Sequence, residues 1–201
     1  MTILNRNDQG GRSMVEMLGV LAIIGVLSVG GISGYSKAMA KFKLTKAQDQ
    51  ITMLLMNIRT AYATSPSYAG LNSSSAITYN LAPQEMAAST SGAGTLYGAF
   101  GGKVDVTSVG TNNTYFRITL HSLGKEACRS LATSDWGADG LVEMLVGEDN
   151  AAGTATGTVA IPCTTGSTAA GQFCTAELPV SLANAATHCN HETSYITWVY
   201  Y

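Results

Sequence analysis

Few side chains in this sequence are placed to do chemistry, and the most conspicuous is a carboxylate at the edge of an apolar run. Glu16 is followed by 20 consecutive residues without a charge, Met17 to Ser36. That is about the length needed to cross the hydrocarbon core of a bilayer as a helix. An intramembrane carboxylate costs roughly 2.5–3.5 kcal/mol even on lenient insertion scales, so it needs a purpose. The other candidates are four cysteines, Cys128, Cys163, Cys174 and Cys189, and three histidines. His188, Cys189 and His191 are neighbours that could begin a metal site. No paired C-x-x-C spacing accompanies them, and no metal is expected. His121 lies just past a strand pattern, with no Gly-x-Ser-x-Gly or paired-carboxylate signature around it. Gly98-Ala99-Phe100-Gly101-Gly102 does not lead from a strand into a helix, so it reads as a turn rather than a phosphate cradle. Neither catalysis nor a cofactor is expected.

The elements that position these residues follow from composition and period. At 201 residues the chain has room for one anchored helix and one globular domain. Hydrophobic residues make up 46% and charged residues 12%, and a net charge of −2 gives no basis for a nucleic-acid surface. All four cysteines follow the apolar run. An even count in an exported domain points to disulfides made in an oxidising compartment, and four cysteines allow three pairings.

The absence of proline before Pro66 lets one helix run over residues 12–64. Its first part, residues 12–36, is apolar all round, as a membrane span or filament core must be. Farther on, Ile51, Leu54, Leu55, Ile58 and Tyr62 form a single stripe that must pack on the globular part. Glycines at 19, 25, 30, 31 and 34 each weaken the helix by about 1 kcal/mol relative to alanine. Gly30-x-x-x-Gly34 permits close helix approach, although membrane helices also simply tolerate glycine. Lys37, Lys41, Lys43 and Lys46 follow the span, whereas only Arg6 and Arg12 precede it. By the positive-inside rule alone the lysines would be cytoplasmic.

The remainder, residues 65–201, reads as an α/β head. Ser65 to Gly94 lacks a period and is expected to be a long loop, with one helical turn near Gln84–Ala88. Strands are expected at Lys103–Val109 and Thr114–Leu120, joined by a Gly-Thr-Asn-Asn turn, with Phe116, Ile118 and Leu120 on one face. A short helix over Ser122–Thr133 and a third strand over Leu141–Val146, entered through the turn Gly137-Ala138-Asp139-Gly140, come next. Thr158–Ile161 is a further short strand. Pro179 suits the first turn of a helix reaching His188. Ser194–Tyr201, alternating aromatic and β-branched, reads as a buried strand.

A secretory signal peptide does not fit the amino terminus, because the plausible cut precedes the apolar run. Gly11, the fifth-position carboxylate Glu16 counted from Arg12, and the apolar helix beginning at once resemble the type IV prepilin family. Ser67-Tyr68-Ala69-Gly70-Leu71, and the stretch Phe100–Gly137 with Ala127-Cys128-Arg129-Ser130-Leu131-Ala132-Thr133 and Trp136-Gly137, are similar to the type IVb subclass and its bundle-forming pilins. The resemblance implies an α+β fold, a long N-terminal hydrophobic helix packed on an antiparallel β-sheet head with a disulfide-bounded C-terminal region. It also implies a leader of residues 1–11, removed by a prepilin peptidase between Gly11 and Arg12, where that family usually has an apolar first residue. Glu16 would then meet the freed amino terminus of a neighbouring subunit. The expected pairing is Cys128 with Cys189 and Cys163 with Cys174. The long loop would tether the final strand and its preceding helix. The partners implied are further copies of the chain in a helical homopolymer, the peptidase and the pilus assembly machinery. The precursor would sit in the bacterial inner membrane with a cytoplasmic N-terminus and the assembled form in an extracellular pilus. Lys37 to Lys46 would then face lipid headgroups or neighbouring subunits. A minor pilin or secretion pseudopilin, and a membrane-anchored binding protein that never polymerises, are the alternatives.

Overall fold

The computed structural model describes residues 14–87, 94–137, 140–149, 163 and 171–201. The leader, the Gly11–Arg12 bond, Ala138 and Asp139 of the expected turn, and the strand expected at Thr158–Ile161 lie outside the described residues. The chain divides into two compact units, Met1–Lys41 and Phe42–Tyr201. Helix α1, Met14–Tyr62, contributes to both.

In the N-terminal unit α1 keeps its apolar side chains in the open. Leu18, Ile23, Leu27 and Ile32 are each 63–68% exposed. In the C-terminal unit the helix is amphipathic instead. Ala47, Gln50, Ile51, Leu54, Leu55 and Ile58 are buried, a spacing of three and four that keeps one helical face inward. Met53 and Met56, between them in sequence, are 58% and 61% exposed. Tyr62, expected in the buried stripe, is only partly covered. The helix ends there, short of residue 64, in a turn ahead of Pro66. The residue before a proline is pushed out of helical geometry, which fits that stop.

Among the described residues, the sheet has six antiparallel strands in the order β1-β2-β3-β6-β4-β5. These are Leu96–Tyr97, Lys103–Val109, Tyr115–Leu123, Leu141–Glu148, Gln172–Cys174 and Ser194–Tyr200 in chain order. The strand latest in sequence, β6, thus occupies the middle of the sheet, and every residue in it except Tyr195 is buried. Register fixes the core face. Phe116 lies opposite Tyr200, Ile118 opposite Trp198 and Leu120 opposite Ile196, while Met144 and Val146 of β4 flank Trp198 and Ile196 from the other side. Side chains alternate across a strand, so a slip of one residue would turn this set outward. Trp136 packs against Trp198 with ring centroids 4.6 Å apart and planes tilted by 58°, and its indole N–H donates to the Leu131 carbonyl at 2.8 Å.

Several elements differ from the sequence-based expectation. Residues 65–94 contain a helix, α2 (Ser73–Thr78). It is held by a reciprocal cap, in which the Ser75 N–H donates to Asn72 Oδ1 at 2.9 Å and the Asn72 N–H to Ser75 Oγ at 2.8 Å. The expected turn near Gln84 is a 3-10 turn, Gln84–Met86. Strand β3 extends through Leu123, which is buried and paired with Ser194, so helix α3 begins only at Lys125 and ends at Ala132. Pro179 precedes helix α4 (Leu182–His188) rather than sitting in its first turn, and Ser181 caps that helix by accepting from the Asn184 N–H. The short edge strands β1 and β5 carry too few residues for any period to show.

The buried and exposed faces of α1 within residues 42–62 give a direct test. Leu54→Ala should lower stability by about 2–5 kcal/mol, as large-to-small changes in a packed core do. Met53→Ala, one residue away, should stay within roughly 0.5 kcal/mol. Urea unfolding of the two variants measures the difference, and similar losses for both would contradict the assigned face.

Candidate functional site

Among the described residues, the N-terminal unit presents an apolar surface without cover. An 18-residue window of α1 has mean hydropathy 2.2 and none of it is buried. A Cβ built on Gly19, Gly25, Gly30, Gly31 or Gly34 would meet nothing within 4 Å, so no contact among the described residues calls for glycine there. Glu16 lies in the first described turn of α1 and is exposed. Near a helix start a carboxylate is favoured by the peptide dipoles, typically by 0.3–1 kcal/mol. That is small beside the cost of placing the same carboxylate in hydrocarbon. Exposed apolar surface of this extent marks a membrane or protein contact. Gly11 and Arg12 lie outside the described residues, and Glu16 belongs to a different unit from the cysteines.

In the head, two disulfides link Cys128 to Cys189 and Cys163 to Cys174, each with Cα atoms 5.6 Å apart. Cys128 is on α3 and Cys189 caps the end of α4, and both are fully buried. Five residues after Cys189 the chain enters β6, so this bond pins the approach to the central strand. On the chain-entropy account a 61-residue separation contributes about 4 kcal/mol, and the 11-residue one about 3 kcal/mol. His188 meets Phe173 edge-on at 5.7 Å, and His191 Nδ1 lies 3.7 Å from Glu148. Among the described residues no group of three or more His, Cys, Asp or Glu could hold a metal ion.

His121 is inside β3 rather than past it, and it is buried. The strand's extension carries it onto the face of the sheet opposite the aromatic core. There Nδ1 lies 2.8 Å from Asp149 Oδ1 and Nε2 3.3 Å from Asp105 Oδ2. Lys103 Nζ approaches the other oxygen of Asp105 at 2.8 Å, and the Ser122 N–H donates to Asp149 Oδ2 at 2.6 Å. Gly102 makes room for this strand, because a Cβ there would collide with the His121 carbonyl. Burial opposes protonation of the ring, yet the hydrogen bonds to Asp105 and Asp149 outweigh it and hold the imidazole above its ordinary value of 6.5. Burial likewise opposes ionisation of Asp105, but hydrogen bonds from His121 and Lys103 hold its carboxyl below the ordinary 3.8. The arrangement is a charged cross-link, with both ring nitrogens committed. Alternation of Lys103 and Asp105 with the apolar Val104 and Val106 was the one sequence signal for it. Asp149 carried none.

Glu143, opposite Cys174 and Val199 across the strands, is fully buried. Oε1 accepts from Gln172 Nε2 at 2.6 Å, and Oε2 has no partner among the described residues. Burial pushes its carboxyl up, against the smaller opposing effect of the Gln172 bond. A cleft of about 210 Å³ beside Trp136 is lined mainly by apolar groups, with Asp135 as the one carboxylate among the described residues.

Cys128→Ser should lower head stability by about 4 kcal/mol, roughly 10 °C in Tm for a domain this size. Non-reducing peptide mapping should recover both links, and free thiols at all four positions would refute them. For His121 the folded value is raised, so its stabilisation is complete below about pH 6.5 and drains away as pH rises through the folded value. Glu143 drains stability in the same direction above 4.5, whereas the Asp105 contribution is lost only as pH falls below the ordinary 3.8. Urea unfolding should therefore find the head less stable at pH 9 than at pH 6. His121→Gln should cost about 2 kcal/mol at pH 6 and shrink that difference. An unchanged difference would sink the cross-link.

Comparison with known proteins fits this architecture. The family described as PilS N terminal matches residues 42–201. The major structural subunit of the bundle-forming pilus of Escherichia coli O127:H6 (strain E2348/69 / EPEC) is 28% identical over 151 residues, covering 74% of this chain and 77% of that protein. Its counterpart in Escherichia coli O111:H- is 28% identical over 136 residues, 67% and 69% of the two chains. Among solved structures, the type IVb pilin of Salmonella typhi has a TM-score of 0.52 at 20% identity, covering 79% of this chain and 97% of that one. TcpA, a type IV pilin from Vibrio cholerae El Tor, has a TM-score of 0.55 at 16% identity, covering 79% and 99%. With a family match over the whole head, the type IV pilin fold and a bare apolar helix ahead of it, this chain belongs to the PilS-like type IVb pilin family.

Proposed function

We propose that this chain is the major structural subunit of a type IVb pilus, made as a membrane-inserted precursor and polymerised through its apolar helix. The observation that carries this reading is the complete exposure of the apolar part of α1. Its relatives named as major subunits of the bundle-forming pilus support the same role. The role is structural rather than catalytic. Cleavage between Gly11 and Arg12 by a prepilin peptidase would leave residues 12–64 as the polymerising helix and residues 65–201 as the head. A head-to-tail contact that does not close into a ring then extends as an open helical fibre. Before assembly the precursor would sit in the inner membrane with its N-terminus in the cytoplasm, and afterwards in the extracellular pilus, delivered by the assembly machinery.

Glu16 supplies the register in this scheme. The new amino terminus at Arg12 carries an ammonium four residues before the carboxylate, and staggered subunits can pair the two between neighbours. Opposite charges 4 Å apart attract by about 4 kcal/mol at an effective dielectric of 20. A carboxylate left unpaired in the helix bundle would disfavour any other stagger.

Mass spectrometry of sheared surface filaments should find a subunit beginning at Arg12, and Gly11→Val should leave the full precursor in the membrane. Glu16→Val, expressed without the wild type, should insert, be cut and form its disulfides, yet give no pili by electron microscopy. Normal piliation would remove the role given to Glu16. A mature terminus downstream of Ser36 would overturn the whole reading.

A further inference from the structure

The lysines at the end of the apolar run, expected to face lipid headgroups or neighbouring subunits, have a spacing and a setting that favour the first. No acidic residue occurs between Glu16 and Asp49, whereas Lys37, Lys41, Lys43 and Lys46 all fall there. Lys46 is partnered within the head, with Nζ 3.0 Å from Glu85. Lys37 and Lys41 are exposed, and none of the described ion pairs involves either. They lie four residues apart on one continuous helix, which puts both ammonium groups on the same face.

Helix length sets their depth. The run Met17–Ser36 covers about 30 Å at 1.5 Å per residue, matching the hydrocarbon thickness. Lys37 follows at the boundary, and Lys41 is about 6 Å farther along. The polar layer on each side of a bilayer is roughly 5–7 Å deep, so both lysines fall within it and no deeper. Tyr35, 67% exposed, stands at the same border, where amphipathic aromatic rings settle. A lysine pair directly after a span opposes an orientation with the N-terminus in the cytoplasm. A bound anion at that level offsets the opposition, and the anion present in quantity there is the phosphate of a lipid headgroup.

We infer, resting on the membrane-spanning reading of α1, that Lys37 and Lys41 form a docking face for anionic phospholipid in the leaflet away from the cytoplasm. Their ammonium groups hold lipid phosphate while the apolar run lies among the acyl chains, so the precursor carries an anionic lipid shell until it enters a filament.

The test uses the full-length chain in phosphatidylcholine vesicles carrying a trace of spin-labelled phosphatidylglycerol or spin-labelled phosphatidylcholine. Each lysine at such a surface is worth roughly a fivefold enrichment of anionic lipid, so the motionally restricted fraction should favour phosphatidylglycerol several-fold. Lys37→Gln with Lys41→Gln should bring that preference close to one, and Lys46→Gln should leave it alone. A restricted shell with no preference in the wild type overturns the inference while leaving the span intact. Absence of any restricted lipid instead overturns the membrane-spanning reading, and this inference with it. If the double variant keeps the preference but loses its pili, the lysines serve a neighbouring subunit and the lipid proposal fails.

Discussion

One constraint governs this molecule: among the described residues, nothing covers the apolar first part of α1. Thirteen large apolar side chains between Met14 and Tyr35 stand exposed. At about 2 kcal/mol each for full burial, their removal from water is worth roughly 25 kcal/mol. A head of this size is held by only about 5–15 kcal/mol in total. Where the apolar part of α1 resides is therefore decided outside the fold, by lipid or by other helices. Lipid tails and a bundle of apolar helices are nearly equivalent solvents for leucine, so apolarity alone does not choose between them. The choice falls to the few polar groups at the ends of the run, which is why Glu16 and the lysines after Ser36 carry more functional weight than their number suggests.

The helix and the central strands were legible because their patterns are long. Ile51, Leu54, Leu55 and Ile58 declare a helical stripe, and Phe116, Ile118 and Leu120 a strand face. The structure places both sets in the core. What the sequence hid is short or set by distant contacts. Strand β5 has three residues and takes its conformation from pairing with β4. Helix α2 announced itself only through Asn72 and Ser75, an N-cap pattern easily lost in a serine-rich stretch. His121 looked like a loop residue because the strand pattern fades at Leu120. Its role needed Asp149, 28 residues away, which no local rule brings to it.

The two faces of the sheet are held by different physics. On the α1 side, packing of Trp198, Tyr200, Phe116 and Ile118 dominates, and Arg59 covers the Tyr200 ring at 5.2 Å. On the opposite face buried polar side chains stand among the apolar Leu145 and Val199. Thr119 and Thr197 share a hydrogen bond of 2.8 Å, His121 joins two carboxylates, and Glu143 is held through Gln172. Such a face tolerates no casual substitution, since a buried polar group deprived of its partner costs about 1–3 kcal/mol. Through His121, Asp105 and Glu143 it also ties stability to pH.

The central position of β6 has a consequence in time. Its neighbours, β3 and β4, are complete by Glu148, but β6 begins only at Ser194. A ribosome adding 5–20 residues per second takes roughly 2–10 s to deliver the 45 residues between. For that interval two long strands, rich in valine, leucine and isoleucine, each lack the neighbour that will lie between them. Open strand edges of this kind invite pairing with other chains. The nascent subunit is thus most adhesive to its own kind before its head has folded, and a cell making it in quantity must shield that interval.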